Sequence, residues 1–252
     1  WTGIELGKIG EEKQEVEARL SSESCYPVFL SQQDIEDYYH GFCNKTIWPL
    51  FHYFPEYTVY SADFWQAYER VNQVFADAVA GVAKSNDVIW VHDYHLMLLP
   101  KLIRERLPEA TVGFFLHIPF PSFEIFRLLP WRRQILEGLL GTELVGFHTY
   151  DYAQHFLNSV HSLLGYDSVM GQITTADRII KADVFPVGID YQRYYSTAKS
   201  SKVRAQASKF RERLGNYKII LSIDRLDYTK GIPERLEAFD LFLEKHPEHR
   251  EK

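Results

Sequence analysis

Short apolar runs alternate with longer amphipathic stretches along most of this 252-residue chain. Four such runs, at 88–92, 111–116, 144–147 and 218–223, predict buried strands. The stretch 62–83 carries apolar side chains at helical spacing and predicts a long amphipathic helix. Near-continuous apolar strands that alternate with helices are typical of parallel sheets. We therefore expect an α/β fold, with a Rossmann-like parallel sheet covered by helices.

Local signals predict the remaining elements. Ser31, with Asp34 three residues on, predicts the start of a helix in the manner of a capping box. An aromatic-rich helical region follows, and Pro49 interrupts it. Gly165 predicts the end of a helix that begins near Asp151. The other expectations are loop or short strands at 1–25, a strand at 26–30, helices at 96–107, 191–214 and 232–243, and a strand pair at 173–187.

Composition narrows the class of protein. Hydrophobic residues make up 46% of the chain and charged residues 25%, as in ordinary soluble domains. The net charge of −6 argues against nucleic acid as a partner, and no apolar run has membrane-spanning length. Cys25 and Cys43 form neither a disulfide framework nor a zinc motif, so we expect a reducing, cytoplasmic location.

The chain divides into two parts in this interpretation. We expect an N-terminal domain at 1–190, and at 191–252 an interdomain helix followed by the first strand–helix unit of a second domain. The charged segment 186–216 is the predicted crossing between them. Both ends of the sequence have the pattern of a truncated domain. No predicted strand precedes Trp1, and the sequence ends shortly after a single strand–helix unit. We therefore interpret the sequence as an internal piece of a longer protein.

The polar turn after the strand at 218–223 carries the clearest candidate chemistry. Arg225 and Lys230 lie five residues apart, Gly231 frees the backbone, and Pro233 suits the first turn of a helix. Two cations and a helix N-terminus at one strand end predict a site for an anion such as a phosphate or diphosphate. The alternative is an ordinary charged loop whose Arg and Lys are solvated or paired with Asp224 and Asp227.

Polar residues also follow two other strands. Asp93 closes the strand at 88–92, and His117 closes the strand at 111–116. Since ligands bind at the carboxyl ends of strands in open α/β sheets, an acid, an imidazole and a guanidinium facing one crevice could bind a polyol phosphate and guide a proton. The alternative for Asp93 is a helix N-cap, and for His117 a structural imidazole before Pro119.

Other kinds of site fit the sequence less well. His92, His95 and His117 could be imagined as metal ligands, but their spacing straddles a strand end and is not a metal-binding pattern. Asp93 with Glu124 could be imagined as a glycosidase carboxylate pair, although sequence gives no separation between them. Tyr39 and Trp48 are separated by nine residues and need not belong to a core stripe, so they could face a ligand.

Several strings together resemble the trehalose-6-phosphate synthase family, retaining glycosyltransferases of the GT-B type with two facing Rossmann-like domains. They occur in the family's order over nearly the whole chain. They are Trp1-Thr2-Gly3, the block from Tyr38-Tyr39 through Trp48-Pro49 to Phe51-His52-Tyr53, Trp90-Val91-His92-Asp93-Tyr94-His95-Leu96, Phe115-Leu116-His117-Ile118-Pro119-Phe120-Pro121, Pro186-Val187-Gly188-Ile189-Asp190 and Asp224-Arg225-Leu226-Asp227-Tyr228-Thr229-Lys230-Gly231.

The resemblance implies a role for each matching residue. Arg225 and Lys230 would hold the diphosphate of a nucleotide-glucose donor, usually UDP-glucose, and His117 would hydrogen-bond the transferred glucosyl unit. Asp93 would bind hydroxyls of the acceptor, glucose 6-phosphate. The acceptor pocket would be shaped by Trp1, Tyr39 and Trp48. No metal or cofactor is implied, and the protein could form a homo-oligomer.

The resemblance also marks what this sequence does not contain. The family's first strand and glycine-rich loop precede the equivalent of Trp1, and its donor-binding acidic residues follow the equivalent of Lys252. We therefore expect the acceptor-side domain with only the start of the donor-side domain, and little or no activity from this piece alone. The alternatives are a glucosylglycerol-phosphate synthase-like transferase and a noncatalytic domain that senses sugar phosphate.

Overall fold

The computed structural model describes residues 4–5, 13–84, 86–215 and 217–250. The chain separates into two compact units, Trp1–Val187 and Gly188–Lys252. Within the described ranges, no helix combines the length and the apolar character needed to cross a bilayer.

A six-stranded mixed sheet organises the first unit. Its strands are β3 (Val88–His92), β4 (Thr111–Phe115), β5 (Leu144–Phe147), β6 (Ser168–Val169), β7 (Gln172–Thr174) and β8 (Ile179–Val184). Their spatial order is β3, β4, β5, β8, β7 and β6. Pairing is parallel from β3 to β8 and antiparallel from β8 to β6. Two further strands, β1 (Ile4–Glu5) and β2 (Phe29–Leu30), form a separate parallel pair.

Helices lie between most of these strands. The helices of this unit are α1 (Lys13–Ser22), α2 (Gln32–Asp34), α3 (Trp48–Phe51), α4 (Ala62–Val82), α5 (Leu99–Arg106), α6 (Phe123–Phe126), α7 (Arg132–Leu139) and α8 (Tyr150–Leu164). Ser61 and Thr149 accept from backbone N–H groups at the starts of α4 and α8. Gly165 ends α8 with a left-handed φ of 77°, as its position in the sequence predicts. A π-helical stretch, Ile35–Ile47, joins α2 to α3.

The two faces of the parallel strands differ. One face is packed into the core and carries the buried side chains of Val91, Val112, Phe114, Val145 and Phe147. On the other face, Trp90 is 65% exposed and Gly113 contributes no side chain, whereas the ring of Phe115 lies over Gly146. An apolar cavity of about 520 Å³ lies there and reaches the carboxyl ends of β3 and β4.

The second unit consists of helices and connecting segments. Asp190 and Ser200 cap α9 (Tyr191–Ala198) and α10 (Ser201–Leu214), and Gly231 precedes α11 (Ile232–Lys245). Short 3₁₀ turns span Tyr228–Lys230 and Pro247–His249. The predicted single helix at 191–214 is therefore two helices, because Ser200 starts a new one.

Two other sequence predictions are wrong. The predicted strand at 218–223 is not paired: among the described residues no strand lies in this unit, and the Leu221 and Ile223 side chains are 76% and 80% exposed. A strand needs a neighbour for its backbone hydrogen bonds. Within the region expected to be loop or strand, α1 forms instead. It buries no side chain, so no apolar periodicity signals it, but its Lys, Gln, Glu and Ala residues favour helix intrinsically.

Candidate functional site

Three histidines meet at the carboxyl edge of the parallel strands. His92 is the last residue of β3, His117 lies two residues beyond β4, and His148 directly follows β5. The ring centroids of His92 and His117 are 5.3 Å apart, and those of His117 and His148 are 5.7 Å apart. Because neighbouring parallel strands end at the same edge of a sheet, residues distant in sequence converge here.

Asp93 is connected to this histidine cluster by two hydrogen bonds that involve backbone groups. Its own N–H donates to the Phe115 carbonyl oxygen over 2.8 Å. Its carboxylate Oδ1 accepts the backbone N–H of His117 over 3.2 Å. The Asp93 carboxylate accepts no capping hydrogen bond from the 3₁₀ turn Tyr94–Leu96, although its backbone carbonyl accepts the N–H of Leu96, so the prediction of a side-chain N-cap is wrong. The carboxylate joins two strand ends instead.

The backbone of Asp93 is strained. Its φ of 70° with ψ of 169° lies in a region that is essentially restricted to glycine. Such a conformation costs about 1 to 3 kcal/mol, and it persists where surrounding contacts over-determine it. The sharp change of direction after β3 carries the chain straight into the 3₁₀ turn. Strain of this kind is concentrated at functional sites.

His92 is hydrogen-bonded to the second predicted site residue. Its Nδ1 lies 3.0 Å from Nε2 of His117. Desolvation by partial burial, and then the positive charge of a protonated His117, lower the pKa of His92 below its ordinary value, although the nearby Asp93 opposes this. Both imidazoles border the apolar cavity above the sheet.

His95 occupies a buried position close to Asp93. Burial lowers its pKa to about 4, against the opposing charge of Asp93. Its ring is stacked on Tyr39 at 5.6 Å, and its Nε2 makes no hydrogen bond among the described residues. A neutral imidazole with an unsatisfied nitrogen is therefore stacked on Tyr39 and interacts electrostatically with Asp93.

A chain of aromatic contacts connects the two predicted acceptor residues. The ring of Tyr39 contacts His95, His95 contacts Tyr94 at 4.0 Å, and Tyr94 contacts Trp48 at 5.9 Å. Tyr39 and Trp48 are thus linked through the two residues that follow Asp93. The third predicted acceptor residue, Trp1, lies outside the described residues.

The predicted anion site lies in the second unit. Asp227 accepts the backbone N–H and the hydroxyl of Thr229 over 3.0 and 2.8 Å, which fixes the turn before α11. Burial alone would raise the pKa of Asp227, but the hydrogen bonds from Thr229 and the charges of Arg225 and Lys230 lower it overall. Gly231 adopts a φ of 59°, which glycine tolerates without strain.

The two cations of this turn differ in their pairing. Arg225 Nη2 lies 3.6 Å from Asp227 Oδ2, with an exposed guanidinium. Asp224 is paired with Arg235 at 2.8 Å rather than with the predicted cations. No carboxylate of the described part of the chain lies within ion-pair distance of the Lys230 ammonium. The ion pair of Arg225 with Asp227 fits the charged-loop alternative, which also allows a solvated Lys230, so the anion site stays a prediction.

The structure thus brings together one half of the predicted site. Asp93 and His117 share a hydrogen bond, and Tyr39 and Trp48 are linked through neighbouring rings. Arg225 and Lys230 belong to the other unit, so their joint role with Asp93 stays a prediction. Sequence reasoning treated His92 and His95 only as possible metal ligands and missed His148. Their positions at or just after strand ends are the signal that could have indicated them.

Comparison with known proteins gives one consistent result. The family description "Glycosyltransferase family 20" matches residues 1–252. The chain is 48% identical over 252 residues to a bifunctional trehalose-6-phosphate synthase/phosphatase of Thermoproteus tenax, covering 99% of this chain and 34% of that protein. It is 43% identical over 253 residues to a UDP-forming alpha,alpha-trehalose-phosphate synthase of Dictyostelium discoideum, covering 100% and 34%. The chain spans between a third and about half of the length of such relatives.

Solved structures agree with this result. The N-terminal domain of Candida albicans trehalose-6-phosphate phosphatase is similar with a TM-score of 0.85 and 33% identity, covering 96% of this chain and 53% of that one. A UDP-forming synthase of Burkholderia xenovorans in complex with glucose-6-phosphate gives 0.81 and 32%, covering 89% and 50%. An E. coli protein bound with UDP-2-fluoro glucose gives 0.82 and 36%, covering 88% and 49%.

Proposed function

The chain belongs to glycosyltransferase family 20, and from that membership we propose that it is part of a UDP-forming trehalose-6-phosphate synthase. Its fold class agrees with that of the solved relatives, a largely parallel sheet covered by helices in a GT-B glycosyltransferase. The proposed reaction transfers glucose from UDP-glucose to glucose 6-phosphate. The supporting observation is the similarity to UDP-forming synthases over essentially the whole chain.

The proposed chemistry is an exchange of two bonds at the donor anomeric carbon. The bond to the β-phosphate oxygen of UDP breaks, and a bond forms to the anomeric hydroxyl oxygen of glucose 6-phosphate, with retention at the donor. The hydroxyl proton passes to the leaving phosphate. Catalysis of this kind depends mainly on stabilising the charge that develops on that phosphate. Arg225 and Lys230 are the residues proposed to do so.

The first unit would bind the sugars. His117 is proposed to hydrogen-bond the glucosyl unit. Asp93 is proposed to bind acceptor hydroxyls through Oδ2, because Oδ1 already accepts the His117 N–H and no hydrogen bond among the described residues reaches Oδ2. Tyr39 and Trp48, with Trp1, would shape the acceptor pocket, and their contacts with His95 and Tyr94 support a common location beside Asp93.

The wider setting is also a proposal. We propose a cytoplasmic location, since Cys25 and Cys43 are both free thiols, as a reducing compartment allows. Because this chain spans only part of its relatives, we expect it to have little or no transferase activity alone.

One observation supports a second candidate, a noncatalytic domain that binds sugar phosphate. The similar Candida albicans structure is the N-terminal domain of a protein named as a phosphatase. The fold therefore occurs in a protein that is not named as a synthase. Retention of Asp93, His117, Arg225 and Lys230 in this sequence favours the catalytic candidate.

The experiment that separates these candidates is an acceptor assay on the natural protein that contains this chain. UDP release and sugar product are measured with UDP-glucose and either glucose 6-phosphate or glycerol 3-phosphate. We expect trehalose 6-phosphate and UDP in equal amounts with the first acceptor. Turnover with glycerol 3-phosphate alone would contradict the acceptor assignment. Binding of glucose 6-phosphate without turnover would favour the noncatalytic candidate.

A further inference from the structure

His92 and His117 form a direct contact that the proposed reaction does not yet use. His92 ends β3 opposite Phe115 of β4, and its Nδ1 lies 3.0 Å from Nε2 of His117. The two rings are nearly parallel, with an interplanar angle of 23°. His92 is therefore held against His117 both by the sheet and by a hydrogen bond.

A hydrogen bond between two imidazoles constrains both of them. One ring nitrogen must carry the proton and the other must accept it. When both rings are neutral, the state of each fixes the state of the other. With Nε2 of His117 engaged, Nδ1 is the ring nitrogen that remains for a ligand. The proton on His92 consequently decides whether that nitrogen donates or accepts.

Other contacts hold the position of His117 but not its protonation. Its backbone N–H donates to Asp93, and its ring lies 4.7 Å from the ring of Phe115 and 5.7 Å from that of His148. No further hydrogen bond reaches the His117 ring among the residues that the structure describes. Of these neighbours, His92 is the one whose hydrogen bond couples its own tautomer to that of His117.

We propose that His92 is a positioning residue that fixes His117 in a single tautomer and orientation. Nδ1 of His117 would then meet the sugar in one defined hydrogen-bonding role, either as donor or as acceptor. The inference rests on the proposed function in one respect, the contact of His117 with the glucosyl unit. The tautomer itself is a property of this chain and does not depend on any substrate. Fixed hydrogen-bonding groups stabilise a transition state without reorganisation during the reaction.

The first test measures the tautomer in the chain itself. Long-range ¹H–¹⁵N spectra of the imidazoles distinguish a protonated from an unprotonated ring nitrogen. For the neutral form of the ring we expect one fully protonated and one unprotonated nitrogen in His117. In the H92F variant, which keeps a ring but removes the hydrogen bond, we expect the averaged signals of two exchanging tautomers. Averaged signals in the unmodified chain, or a single tautomer in H92F, would overturn the proposal.

The second test measures the consequence for transfer in the natural protein that contains this chain. H92F should lower kcat about 10-fold, the size of one lost hydrogen bond, with little change in the KM for glucose 6-phosphate. H92N should recover most of that loss, because its amide has a donor and an acceptor near the position of Nδ1. H161Q, which removes an exposed histidine on α8, is the matched control.

The two tests can contradict the proposed function and the positioning role of His92 separately. Absence of glucosyl transfer in the unmodified protein would contradict the proposed function and leave the tautomer result standing. Unchanged kcat in H92F, with transfer intact, would overturn the positioning role alone. A folded H92F variant is verified by its thermal unfolding, and a failure of H92N to recover activity would also count against the proposal.

Discussion

The backbone N–H of His117 donates to the carboxylate of Asp93 over 3.2 Å, although the two residues follow different strands. This bond couples the position of the imidazole to that of the acid. It also helps to hold Asp93 at its positive φ of 70°. The two side chains proposed to contact donor and acceptor are therefore placed by one local structure rather than independently.

Replacement of the acid should separate activity from stability. We expect D93N to lower kcat/KM for glucose 6-phosphate by at least about 100-fold, because the charge that binds acceptor hydroxyls is lost. The free energy of unfolding should change by less than about 1 kcal/mol, since the amide oxygen can still accept the His117 N–H and the backbone strain is the same for Asp and for the isosteric Asn. Urea unfolding and steady-state kinetics measure the two effects. A D93N protein with normal transfer would contradict the acceptor role.

Removal of either cation before α11 should weaken binding of the nucleotide. R225A and K230A should each raise the Kd for UDP about 10- to 100-fold, the effect of losing a charge-assisted hydrogen bond. K245A removes the same charge from the last turn of α11 and serves as control. Calorimetric titration with UDP measures these constants. Equal effects of K230A and K245A would indicate general electrostatics rather than a specific phosphate contact.

His95 should make stability depend on pH. Its pKa is about 4 in the folded protein and near 6.5 when unfolded, so below pH 6.5 the unfolded state binds more protons. The contribution of His95 to the free energy of unfolding is fully present above pH 6.5 and is lost as the pH decreases toward 4. Between pH 7.5 and 5 the loss from this residue should be about 2 kcal/mol. Urea unfolding at both values measures it, with H95F, which cannot titrate, losing correspondingly less.

Two glycines in helices provide a matched test of the packing. A Cβ on Gly138 of α7 would lie 2.4 Å from the Met97 carbonyl oxygen, whereas one on Gly81 of α4 would meet nothing within 4 Å. G138A should therefore destabilise the protein by about 1 to 3 kcal/mol. G81A should be neutral or stabilise it by up to about 1 kcal/mol, since alanine favours helix. Thermal unfolding compares them, and similar melting temperatures would contradict the close packing at residue 138.

Local signals in the sequence predicted much of the first unit correctly. The strand at 88–92, the caps at Ser31 and Gly165 and the strand pair predicted at 173–187 all depend on short-range patterns, which a sequence displays directly. The strand at 218–223 was predicted wrongly because strand formation requires a partner, and apolar character alone does not provide one.

The candidate site was predictable in part for a related reason. Asp93 and His117 were identified because they follow apolar runs, and the rule that strand ends converge then predicts their proximity. The bond from His92 to His117 could not be predicted, since it depends on side-chain rotamers across two strands. The positive φ of Asp93 and the burial of His95 likewise arise from tertiary packing.

The most direct test of the proposed function is product formation by the natural protein that contains this chain. UDP-glucose and glucose 6-phosphate are supplied together, and the disaccharide product is identified by mass spectrometry and by the anomeric couplings in its NMR spectrum. We predict trehalose 6-phosphate with both linkages in the α configuration, and loss of this product in D93N. Hydrolysis of UDP-glucose without disaccharide, or an equal yield from D93N, would contradict the account.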